Sequence, residues 1–499
     1  MSFIRNLVIL IIIIMAIIYG LLFTPQGNSI IKPIIEEEIS KKISIPVKLE
    51  TFMLKPEEFK IVLTTNDKSY IASKGSFNIL AQSLELFYDI KINELSNLKE
   101  LIGRKLNGSF RTNGKLKGNQ YILYIDGKTN LANSDTYYHI ELKEFKPQKI
   151  KAVVKHMQID RLLYTVNQPV YSNGLADIKA DIKSFNIEKL DGAIKAKISE
   201  STLDPKPFMR DFGISIPPNV TIEARLNTKL KGSKAISSLN VISSINNLTS
   251  EVITYDLKKN YLKADYRLEI PNLDKLYFLT NKHMLGSLTI TGNVKKAKDL
   301  MQLTGHTDTL GGAVDFILKN EKFKANIKNI QTVALTDMLL YPHIFDSRAN
   351  AKINYNANNK KGTLHTELYD GQILPNKMSF LLKQLTNFDI TKEIYEYTVL
   401  DTKIEDKQLI SNLHMKSRYT EISSKDALIN LEKETIDTTL NVNIKKSIIP
   451  VSLTGELFKP SIKIESDELI KKRAIEEIEK RLPKEIKEFP IKDLIKNLF

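Results

Sequence analysis

The segment LADIKADIK, Leu175 to Lys183, sets Ala176, Ile178, Ala180 and Ile182 against Asp177, Lys179, Asp181 and Lys183. Side chains of a strand alternate between two faces, so this stretch reads as a half-buried strand with one apolar and one wet face. TIEARLNTKL repeats the pattern, with Ile222, Ala224, Leu226, Thr228 and Leu230 opposite Glu223, Arg225, Asn227 and Lys229. YLKADYRLEI does so again, with Leu262, Ala264, Tyr266, Leu268 and Ile270 opposite Lys263, Asp265, Arg267 and Glu269. ANAKINYN and TTLNVNIKK follow the same rule. Many alternating runs joined by short Gly, Asn and Asp turns predict a mostly-β chain of antiparallel strands.

The chain also resembles itself. LSNLKELIGRKLNGSFRTNGKL aligns with LDKLYFLTNKHMLGSLTITGNV, matching Leu95, Leu98 and Gly114 to Leu273, Leu276 and Gly292. DRLLY at Asp160 to Tyr164 matches DMLLY at Asp337 to Tyr341 at nearly the same offset. A block covering 95–182 therefore recurs at 273–355, with Leu98 and Leu276 as equivalent buried sites. A long repeat of this kind points to an elongated array.

Ahead of the strands, Leu7 to Phe23 form an uncharged apolar run. Its length is near the lower limit for a membrane span, and no small-residue cleavage site follows it. Residues 1–24 are expected to be a retained anchor, with Leu7, Ile11, Ile14, Ile18 and Leu22 in lipid. Arg5 precedes the run and the next charge is Lys32, which places the N-terminus in the cytoplasm and the bulk on the other side. Pro25 and Gly27 should break the helix. Ile31, Ile35, Ile39 and Ile43 then mark an amphipathic helix over 25–44, whose stripe either caps a sheet or rests on the membrane. Glu36 to Glu38 fall in its early turns and Lys41 and Lys42 near its end. At the far end, 466–499 predicts helices, one capped by Ser466 and carrying Leu469, Ile470, Ala474, Ile478 and Leu482.

Of 499 residues none is cysteine, which removes disulfides and thiolate metal sites. The net charge of +15 comes from scattered lysines with no dense basic block, which argues against a nucleic-acid partner. The seven histidines show neither i, i+3 nor i, i+4 spacing, and no HExxH, GxSxG, P-loop or GxGxxG occurs. LGGAVDF at Leu310 to Phe316 precedes a strand pattern and reads as a turn. Paired acids such as Glu57–Glu58 sit where solvated carboxylates are ordinary. These residues predict no catalytic constellation, no metal and no cofactor.

Taken together, the chain resembles the AsmA-like family of bacterial envelope proteins. The resemblance runs from the anchor and TPQGNSIIKPIIEEEISKKISIPVKLETFML, through the repeated helix–Gly–strand units, to PVSLTGELFKPSIKIESDELIKKRAIEEIEKRL. It implies a long twisted antiparallel sheet over 45–465, curled into an open apolar groove (a β-taco) with short helices between strand units. It further implies an inner-membrane-anchored periplasmic protein that guides phospholipid along that groove for outer-membrane and envelope homeostasis. The lining would then include Ile178, Ala180, Ile182, Ile222, Ala224, Leu226, Leu262, Ala264, Tyr266 and Leu268. The alternative is a non-enzymatic assembly or scaffold factor that pairs an open sheet edge with client strands of outer-membrane proteins or envelope complexes.

Overall fold

The computed structural model describes residues 18–43, 45–445 and 447–464, with Leu10, Ile13 and Ala16 ahead of them. Strands hold 58% of the chain, which makes it a mostly-β protein with few helices. Two compact units divide between Tyr261 and Leu262.

In the first unit, thirteen described strands run from Val47–Leu54 to Asn247–Asp256. Each pairs antiparallel with its sequence neighbours, as a meander. The alternation read from LADIKADIK and TIEARLNTKL holds: in the strand Thr221–Gly232, exposed and covered residues alternate without a break from Thr221 to Lys231. The second unit continues the same meander plan from Tyr261–Ile270 to Ser461–Ile464. Within each unit, successive described strands pair with one another.

The first strand of a sheet has unpaired N–H and C=O groups, and here a helix covers them. The helix α1 (Pro25–Ile43) lies along Val47–Leu54. Asn28 Oδ1 accepts from the Leu54 N–H at 2.8 Å, and Asn28 Nδ2 donates to the Leu54 carbonyl at 3.0 Å. Glu36 Oε1 accepts from the Leu49 N–H at 2.7 Å, and Ser40 Oγ from the Val47 N–H at 3.0 Å. Ile31, Ile35, Ile39 and Ile43 are half-buried, while Ile30 and Ile34 are exposed, so the stripe faces the protein. The helix break falls at Thr24, and Pro25 opens the new helix as a first-turn proline can. Gly27 lies inside it, where a Cβ would come 2.2 Å from the Gly20 carbonyl oxygen. Because the helix starts at Pro25, Glu36 is mid-helix. Its carboxylate serves the sheet edge rather than the helix dipole. Asn28→Ala should lower the stability of the first unit by about 1–3 kcal/mol, because the Leu54 N–H and C=O lose their partner. Chemical denaturation, together with faster hydrogen exchange at Leu54, checks this.

Among the described residues no helix is long and apolar enough to cross a membrane. Leu7, Ile11 and Ile14 of the expected span lie outside the described residues. Ile18 is exposed and Leu22 half-buried, in a helical stretch that ends at Phe23. The C-terminal helices expected over 466–499 also lie outside them.

Element order repeats within the chain. The strand Ser83–Ile92, the 3-10 turn Leu95–Leu98, the helical turn Lys99–Ile102 and the strands beginning at Phe110, Ile122 and Asp135 recur as elements starting at Tyr261, Leu273, Tyr277, Leu288, Leu300 and Ala313. Every start is displaced by 178, as from Leu95 to Leu273. Local bonds recur as well. The Leu95 N–H donates to the Gly108 carbonyl at 2.8 Å, and the Leu273 N–H to the Gly286 carbonyl at 3.0 Å. Leu95 and Leu273 are the buried pair, 4% and 2% exposed, whereas Leu98 and Leu276 are only half-buried. The bonds from the Leu95 and Leu273 N–H groups to Gly108 and Gly286 hold the first leucine of each turn against the chain that follows.

Among the described residues the largest buried core lies in the later strands of the second unit. The helix Lys377–Thr386 lays Leu381 and Leu382 onto Tyr395, Ile422, Val442 and Val451. Asn376 and Ser379 form a reciprocal capping box that fixes where this helix begins.

Candidate functional site

Cross-strand register places the apolar residues of the first unit in rows. One row runs Phe52, Ile61, Ser73, Tyr88, Gly114, Gly127, Tyr138, Ala152, Ala180, Ile194, Thr228, Ser237 and Ile253. A second runs Leu49, Leu63, Ile71, Ile90, Thr112, Thr129, Thr136, Val154, Ile178, Ala196, Leu226, Leu239 and Ser250. A third passes through Leu86, Leu116, Ile125, Ile140, Ile150, Ile182, Gly192 and Leu230. None of these positions carries an Asp, Glu, Lys or Arg. Most are half-buried, where the inner wall of a sandwich would be dry.

The expected residues fall on this face. Ile178, Ala196 and Leu226 are direct neighbours, as are Ala224, Ile198 and Ala176. Ala180 pairs with Ile194, and Ile182 with Gly192. Ile222 lies on the same face near the strand end, opposite Ser201. Ile178 also packs against a small core of Ala132, Met157, Ile159 and Ala176, so part of its surface serves the fold.

The second unit has its own uncharged row. It runs Ala264, Val294, Leu303, Leu318, Phe323, Tyr355, Gly362, Ile404, Leu409, Ile429, Ile436 and Gly455. Leu268 borders a small core of Ile270, Leu273 and Met284. Leu262 departs from the pattern, because its partner at the strand end is the exposed Lys296.

Aromatic rings lie across paired glycines in both units. A Cβ on Gly127 would come 2.5 Å from the Tyr88 Oη and 2.6 Å from the Tyr138 ring. A Cβ on Gly305 would come 2.2 Å from the Phe316 ring. Tyr88, Gly114, Gly127 and Tyr138 correspond to Tyr266, Gly292, Gly305 and Phe316 at the repeat displacement of 178. The Tyr88 and Tyr138 hydroxyls share a 2.8 Å hydrogen bond, and Tyr266 Oη donates to the Thr304 carbonyl at 2.9 Å. Burial, reinforced by that bond, holds the Tyr88 phenol far above its ordinary range. The glycines let rings lie flat, which covers strand backbone without filling the space above it. The sequence reading matched Gly114 to Gly292 but missed this use. The signal was a Gly in each of two successive strands, with an aromatic on the flanking strands.

The opposite face carries the charge. Asp177 pairs with Lys197 and Lys197 with Arg225. All seven histidines lie within 4 Å of a carboxylate, as His139 with Asp126 at 2.7 Å and His365 with Asp401 at 2.6 Å. The Asp401 hydrogen bond raises the His365 imidazole above the ordinary histidine range. Among the described residues no group of three or more His, Asp or Glu side chains could hold a metal ion. No family model, curated protein or solved structure matches the chain.

Proposed function

We propose that this chain is a phospholipid carrier of the AsmA-like type, with its N-terminal segment in the inner membrane and its body in the periplasm. Its uncharged faces form the walls of an open, curled groove that holds acyl chains. It does no covalent chemistry on them. The observation that carries this reading is the set of uncharged rows across the strands of the first unit, most of whose side chains remain half-buried. An apolar face of that extent costs free energy in water, and an acyl chain lying on it gains about 0.8 kcal/mol per buried CH₂. Aliphatic side chains and flat rings grip chains without selecting a species.

The scaffold reading needs an accessible sheet edge. The first edge is occupied by α1 through Asn28, Glu36 and Ser40. The last described strand, Ser461–Ile464, is short, and the strand before it carries Pro450, which has no N–H to donate. Both features guard against strand addition, so lipid carriage is the better-supported function.

A photo-crosslinking amino acid at Leu226 should capture phospholipid in cells, and one at Arg225, on the opposite face, should not. Only intramolecular crosslinks from Leu226 in a folded protein would overturn the proposal. Crosslinks from Leu226 to an envelope protein would replace it with the scaffold reading.

A further inference from the structure

Beside the capped helix Lys377–Thr386, the second unit holds an apolar cavity of about 600 Å³. Leu368, Leu400, Leu413, Met415 and Ile422 form much of its wall. The size is that of a small-molecule site, about 300–1,000 Å³. A methylene occupies roughly the volume of a water molecule, about 30 Å³, so on the order of 20 methylenes fit. That is room for one acyl chain.

Two polar features break the apolar lining. Thr398 lines the cavity at 1% exposure, and its Oγ1 has no hydrogen-bond partner. That oxygen is sealed from any group in the cavity, so the polar contacts open to a bound molecule fall to two lysines. Lys377 and Lys459 also line the cavity, and both are exposed. Among the described residues neither has a carboxylate within 4 Å. Lys377 stands at the first position of the helix, where the helix dipole adds to its positive field.

We infer that this cavity binds an anionic lipid, with one acyl chain inside and the phosphate at Lys377 and Lys459. The inference rests on the lipid-carrier reading but assigns a discrete, head-selective site to a chain otherwise proposed to hold lipid without selectivity.

The test uses the full-length protein in detergent and displacement of a fluorescent polyene fatty acid. Lysophosphatidylglycerol should displace it at about five- to tenfold lower concentration than lysophosphatidylcholine, the scale of two exposed ion pairs. The double variant Lys377→Gln/Lys459→Gln should erase that difference. Equal displacement by both lipids in the unaltered protein overturns the proposal. So does a photo-crosslinker at Leu413 that captures residues 466–482 of the same chain instead of lipid. If Leu226 captures lipid and Leu413 does not, only the cavity assignment fails. If neither does, the carrier reading fails with it.

Discussion

Leu382→Ala should lower the unfolding free energy of the second unit by about 2–5 kcal/mol, the range for a leucine removed from a packed core. Leu382 is 0% exposed and lies among Leu381, Ile390, Tyr395 and Val442. The lost methyl groups leave a hole that the capped helix cannot close, since Asn376 and Ser379 hold its start in place. Leu226→Ala should cost about 1 kcal/mol or less, because part of the Leu226 surface is already in water. Urea denaturation of the two variants reads the difference directly. Equal and large losses would mean that the face around Leu226 is a closed core, and the carrier reading would lose its physical basis.

Ala224→Glu should abolish lipid capture at Leu226 while leaving the protein folded. Ala224 is half-buried on the uncharged face, between Ile198 and Val241. A carboxylate there must either lose its water beneath an acyl chain or bring water into the chain's path, and both are unfavourable. With no lipid present, the carboxylate stays hydrated, so the thermal transition should hardly move. Glu223→Lys, one residue away on the exposed face, should leave lipid capture unchanged. Crosslinking from Leu226 in each variant checks both. Unfolding by Ala224→Glu would instead mark a dry interior.

Much of this was legible in the residues. LADIKADIK, TIEARLNTKL and YLKADYRLEI each became strands with their apolar residues on one side, because side-chain alternation in a strand is a local property. The repeated leucine–glycine blocks became repeated elements for the same reason. Leu95 and Leu273 were harder to single out, since a leucine-rich run does not say which leucine a 3-10 turn will bury.

Other features depend on residues far apart in the sequence. Asn28 and Leu54 are 26 positions apart, and nothing local says that an asparagine in a helix will seal a sheet edge. Tyr88 meets Gly127 only after strand register is set. The cavity beside Lys377 exists only because Leu368 and Met415, on different strands, are brought together with the start of that helix.

The sequence by itself determined the strand character, the two-faced chemistry of each strand and the absence of known catalytic motifs. These follow from residue type and period-two spacing. Only the tertiary structure decided which apolar faces stay half-open and which are sealed. Sealing requires a second element to pack on the sheet, as the helix Lys377–Thr386 does, whereas the side chains around Leu226 stay only half-buried. Whether such an element arrives is a matter of long-range geometry, which the alternation of side chains along one strand does not encode.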